Sequence, residues 1–72
     1  MEKEKKLKHP KYYAIKGYQI LARKTDQQMA DALDITVRTY KNRINGISDF
    51  SATDANIMEQ LLHVKKDDIF LT

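Results

Sequence analysis

The stretch TDQQMADALDITVRTYKNRING, Thr25 to Gly46, constrains the fold of this chain more than any other feature. Thr25 and Gln28 have capping-box spacing: the hydroxyl accepts from the third helical N–H while the glutamine reaches back to the cap. Thr36 offers a second N-cap, and Gly46 a helix stop. So little room lies between the caps that the first helix, starting at Asp26 and ending around Asp34, has only about two turns. A second helix is expected from Val37 to about Asn45. Met29, Ala30 and Leu33 share one face of the first; Tyr40 and Ile44, one turn apart, share one face of the second. Ala30 is small where the helices cross, and Leu33 and Ile35 bury beneath the turn. The outer side of the second helix carries Arg38, Lys41 and Asn42.

The flanks supply the rest of an all-α domain. Pro10 suits the first turn of a helix running to about Lys24, with Tyr13, Ala14, Tyr18, Ile20 and Leu21 on a broad apolar stripe and Gly17 inside it. Ser51 and Asp54 repeat the capping spacing before a helix from Ala52 to about Leu62. Asp67 and Asp68 can start a last turn ending in Ile69, Phe70 and Leu71. No segment alternates with period two for long enough to be a strand. The expected core is Ile20, Leu21, Met29, Ala30, Leu33, Ile35, Tyr40, Ile44, Ile57, Met58, Leu61 and Leu62. The organisation is a flexible basic tail over residues 1–9 and one helical domain over residues 10–72.

Composition narrows the function classes. There is no cysteine, which excludes disulfides and thiolate metal sites. No apolar run approaches a bilayer span, and the charged N-terminus is unlike a secretory signal, so a cytoplasmic protein is expected. His9 and His63 are not at metal-ligand spacing, Ser48 and Ser51 have no adjacent base, and no Gly-rich phosphate loop is present. With 72 residues the chain is short for enclosing a substrate. Neither enzyme activity nor a cofactor or small-molecule substrate is expected. The net charge of +3 is mildly basic, as for a domain with an anionic partner. The apolar end IFLT either covers the core or seals a homodimer.

The order TDQQMADALDITVRTYKNRING followed by SATDANIMEQLLHVKKDDIF resembles the λ-repressor/Cro-like (XRE) helix-turn-helix family over roughly residues 24–70. The matched points are Ala30, Leu33 and Ile35 around the turn, Asn45-Gly46 after the second helix of the pair, and LLHVKKDDIF near the end. In size, and in having no sensor domain, it is similar to the small modulator-of-repression (Mor) regulators of temperate phages of Gram-positive bacteria. The resemblance implies a compact four- to five-helix DNA-binding domain in a bacterial host cell. Its implied role is a phage-type transcription regulator of a lysis/lysogeny switch, with double-stranded operator DNA as partner and a CI-type repressor beside it. An antirepressor that binds the CI repressor itself is the alternative.

The resemblance also implies roles by position. Arg38, Lys41 and Asn42 face DNA, with Val37 limited to a thymine methyl. Asn45 sits at a phosphate-contacting position, and Lys24 with the N-terminal lysines would hold phosphates. Arg43 stands where the family has an apolar residue and is counted with the DNA-facing cations. Asp34 stands at the turn position usually held by glycine. Asp26 stands where the family has a neutral amide that binds phosphate. A carboxylate there repels phosphate, complements the helix dipole or, with Asp31 and Asp34, attracts a basic protein partner.

Overall fold

In the computed structural model, residues 8–71 are described and form five helices with no strand among them. They are α1 (Ala14–Leu21), α2 (Asp26–Leu33), α3 (Val37–Ile44), α4 (Ala52–Leu62) and α5 (Lys66–Ile69). Helix α2 packs on α3 and α4, and α5 packs on α1 and α4. No helix among the described residues is long and apolar enough to cross a membrane.

The capping signals place the helix starts. Thr25 and Gln28 form the full capping box of α2. Thr36 accepts from the Thr39 N–H at the start of α3. Ser51 and Asp54 form the box of α4. Asp34 closes α2 in the left-handed conformation at φ 60°, a conformation that aspartate tolerates better than most residues. Only Asp34, Ile35 and Thr36 separate α2 from α3, and the Ile35 N–H donates to the Ala30 carbonyl at 3.0 Å. Gly46 follows α3 at φ 93°, where a side chain would be strained, and the Ile47 N–H closes back on the Asn42 carbonyl.

Helix α1 differs most from expectation. It is eight residues long, starts after Tyr13 rather than at Pro10, and stops at Leu21. Residues 8–13 instead form a strap along the end of α3: the Lys8 N–H donates to Gly46 and the Tyr12 N–H to Ile44. His9 stacks on Tyr12 with ring centroids 3.9 Å apart, and its Nε2 lies 3.0 Å from the Ser48 carbonyl oxygen. Lys8 and His9, expected in the flexible tail, are thus tied to the body; the rest of that tail, residues 1–7, lies outside the described residues. At the other end, Arg23 takes φ 60° and its N–H and that of Lys24 close back on Ile20 and Gln19.

A different face of α1 from the one expected is turned inward. Ile15 and Gln19 are buried, with Tyr18 and Ala22 half-buried beside them. Ile20 and Leu21, expected in the core, lie in solvent with Tyr13. The core is Ile15, Met29, Ala30, Leu33, Tyr40, Ile44, Met58, Leu62 and Ile69, with Ile35, Ile57 and Leu61 half-buried against it. Ile69 comes from the apolar C-terminal end, which therefore covers this chain's own core, Phe70 packing alongside. Each such fully buried aliphatic side chain contributes about 1.5–3 kcal/mol.

Candidate nucleic-acid interface

Helix α3 buries Tyr40 and Ile44. At 3.6 residues per turn, Arg38, Lys41, Asn42 and Asn45 therefore line its outer side, at successive separations of three, one and three residues. Arg38, Lys41 and Asn45 are exposed and Asn42 is half-exposed. Lys41 and Asn45 meet Lys11 from the strap and Lys16 from α1 around a shallow cleft of about 170 Å³, floored by Ile44. Three lysines on one cleft can hold an anion such as phosphate. Two of them, Lys11 and Lys16, were not expected in the site. Only the fold brings the strap and α1 to the end of α3.

Asp26 is the centre of this arrangement. Its Oδ1 accepts from Lys16 Nζ at 2.5 Å and from Gln19 Nε2 at 2.8 Å, and Lys41 Nζ is 3.9 Å from Oδ2. The hydrogen bond from Lys16, then that from Gln19, holds the carboxyl below the usual carboxylate range, against a smaller opposing effect of burial. Gln19 also accepts from the Tyr40 hydroxyl at 2.6 Å. Burial, with the Asp26 charge second, raises the Tyr40 pKa, so the phenol is a neutral donor at ordinary pH. A polar chain, Asp26–Gln19–Tyr40, buried at Gln19 and Tyr40 and partly exposed at Asp26, thus joins the start of α2 through α1 to the middle of α3. Asp26 is paired within its own chain rather than standing as a free acid.

Arg43 is on the other side of α3. Its guanidinium bonds Asp54 at 2.5 Å, and the Asp54 carboxylate also accepts the Ser51 N–H that begins α4. Arg43 therefore pins α3 to α4 and does not join the outer row. Its Nε is buried without a partner. An arginine at a position expected to be apolar is accommodated because Asp54 is buried opposite it. Val37 is half-buried and packs against the core. Lys24 is half-buried in the link between α1 and α2 and does not line the cleft.

Asp31 and Asp34 are exposed. Asp31 accepts from Gln27 Nε2, and neither carboxylate has a cationic partner among the described residues. No group of three or more His, Asp or Glu side chains that could hold a metal comes together among those residues. An aromatic cluster of Tyr12, Phe50 and Phe70 borders a second cleft of about 270 Å³ on the side of α4. There, burial and a hydrogen bond to Asp49 push the Tyr12 hydroxyl up to about 12.

No known family pattern matches this chain, and neither a curated protein nor a solved structure shows significant similarity to it.

Proposed function

We propose that this chain is a DNA-binding transcription regulator of the λ-repressor/Cro-like kind, a phage-type component of a lysis/lysogeny switch. In this reading α2 and α3 act as a helix-turn-helix and α3 enters the major groove. Arg38 reaches base edges, Lys41, Asn42 and Asn45 contact bases or flanking phosphates, and Lys11 and Lys16 hold the backbone. The state of Asp26 is the observation that supports it best. Held by Lys16, Gln19 and Lys41, the carboxylate is outnumbered by the lysines beside it, so the group is net positive where phosphate would lie.

The test is a titration of labelled duplex DNA, selected from a randomised pool, over a series of salt concentrations. Affinity should fall with salt, and removing Lys11 or Lys16 should flatten the slope by about 1 for each phosphate no longer neutralised. Arg38→Ala should weaken the selected duplex by about 1–3 kcal/mol and relax specificity at one base pair. Absence of salt-dependent binding to any duplex at low ionic strength would remove this reading.

A second reading has its own observation. Asp31 and Asp34 are exposed carboxylates without a cationic partner among the described residues. They suit the basic, DNA-holding surface of another protein. The chain would then be an antirepressor that occupies the reading surface of a CI-type repressor. Titration of the repressor against Asp31→Asn and Asp34→Asn variants checks it: unchanged binding in both would exclude these carboxylates as the contact.

A further inference from the structure

The solvent face of α1 carries the wrong residues for a solvent face. Tyr13, Ile20 and Leu21 are 62%, 69% and 80% exposed. The helical period sets them directly opposite the buried Ile15 and Gln19, grouped around Gly17. A Cβ placed on Gly17 would meet nothing within 4 Å, so the glycine is not needed for packing inside the domain. Its effect is a flat centre between large apolar side chains. A surface helix of a small domain normally puts polar residues here, and a grouped apolar surface bordered by charge marks a contact site.

The charge of the same chain segment identifies what fits the stripe. From Lys8 to Thr25 the chain has five cations, Lys8, Lys11, Lys16, Arg23 and Lys24, and no Asp or Glu. Among the described residues only Lys16 of these has an ion pair, with Asp26. A second copy laid on this face would bring cations against cations. A membrane surface is a poor match too, because an eight-residue helix spans only about 12 Å and offers three large apolar groups. A helix with its own apolar stripe and flanking carboxylates satisfies both features, apolar on apolar and acid on base.

We infer that the outer face of α1, Tyr13, Gly17, Ile20 and Leu21 with its basic border, is a docking surface for an acidic amphipathic helix of a partner protein. The partner helix lies across Gly17, where its backbone approaches closely, and its leucine-type side chains fill the spaces beside Tyr13 and Leu21. Its carboxylates meet Arg23 and Lys24, which directly follow the helix and have no ion pair among the described residues. This surface is separate from the outer side of α3, and it stands or falls independently of whether α3 binds DNA.

The test uses the full chain and three synthetic helical peptides. One has leucines at helical spacing with glutamates on the flanks. The second has lysines in place of the glutamates, and the third has serines in place of the leucines. Binding is followed by fluorescence anisotropy and by shifts of the amide signals of residues 13–24. The glutamate–leucine peptide should bind at least about tenfold more tightly than either control. Leu21→Ser and Gly17→Gln should each weaken it by about tenfold while leaving the thermal melt as cooperative as before and DNA titration unchanged. Gly17→Gln fills the flat centre without touching the core, so its loss of binding cannot come from unfolding. The inference is overturned if the lysine peptide binds as well as the glutamate peptide, or if the glutamate–leucine peptide does not bind. It is equally overturned if Leu21→Ser abolishes self-association in sedimentation equilibrium, which would make the occupant a second copy. Loss of cosedimentation with phosphatidylglycerol vesicles in that variant would overturn it too, by making the occupant a lipid surface.

Discussion

Arg43→Ala separates a structural arginine from a DNA-reading one. Removing one partner of a buried ion pair costs about 3–5 kcal/mol, because the other charge is left unpaired. Here the side chains of Arg43 and Asp54 are 23% and 11% exposed, and Asp54 keeps the N–H of Ser51. Partial hydration and that remaining bond reduce the expected loss to about 2–3 kcal/mol. At about 0.05–0.15 kcal/mol per residue, 72 residues imply a total of roughly 4–11 kcal/mol, so the loss is a large part of the whole. Urea unfolding followed by circular dichroism measures it. The double variant Arg43→Met with Asp54→Asn removes both charges and the unpartnered Nε, while Ser51 still caps α4. It should recover at least about half of the loss. Measured below its melting temperature, Arg43→Ala should bind DNA as the parent does. A variant that unfolds like the parent but loses DNA affinity would refute the placement of Arg43 and return it to the reading face.

Four further expectations concern single positions. Tyr40→Phe leaves the buried Gln19 Oε1 without its donor and should cost about 1–3 kcal/mol; an unchanged unfolding midpoint would deny the hydrogen bond. Leu33→Ala, at a site 6% exposed, should cost about 2–5 kcal/mol, and a melt within a few degrees of the parent would take Leu33 out of the core. Gly17→Ala meets open space and should raise stability by about 0.5–1 kcal/mol; a lower melting temperature would mean that the outer face of α1 is covered. The folded carboxyl of Asp26 has a lowered pKa, so its contribution is present above the unfolded value and is lost as pH falls through the folded one. Stability attributable to Asp26 should therefore be constant near neutrality and decline below about pH 4. Asp26→Asn should flatten that part of the acid unfolding curve, and an identical curve would contradict the ion pair.

The elements most legible in the sequence are those set by local chemistry. Thr25 with Gln28, Thr36, and Ser51 with Asp54 are complete signals within one turn, and they mark the starts of α2, α3 and α4. Helix α1 has no side-chain cap, so its start and its phase rest on hydrophobic periodicity alone. That periodicity points the wrong way. Of the expected stripe Tyr13, Ala14, Tyr18, Ile20 and Leu21, only Ala14 and Tyr18 are half-buried, while Ile15 and Gln19 face the core with Ala22 beside them. Gln19 can be buried because Tyr40 and Asp26, 21 and 7 residues away, satisfy its amide. A rule that admits only apolar residues to the core cannot choose that face. It would need the partners, which the fold supplies. The Ile69 burial was legible only as a choice between covering the core and joining a second copy, since both use the same apolar residues.

The candidate site was legible in its outward row and hidden in its support. Arg38, Lys41 and Asn42 follow from the period of one helix and Asn45 from the resemblance, and the structure keeps all four on one side. Arg43 breaks that row because its partner, Asp54, lies on another helix 11 residues on. Asp26 depends on long-range pairing even more. Read alone, it places one negative charge where the resemblance implies a neutral amide. With Lys16 at 2.5 Å and Lys41 at 3.9 Å, the local group is one acid and two bases, and the field it presents is net positive rather than negative. The same acid reaches Tyr40 through Gln19, so it also fixes where α3 sits relative to α2. These two effects oppose each other in any variant. Asp26→Gln frees Lys16 and Lys41 for phosphate but loosens the chain that orients α3. Nonspecific DNA affinity should therefore rise more than specific affinity, and an equal rise in both would show that Asp26 acts through charge alone.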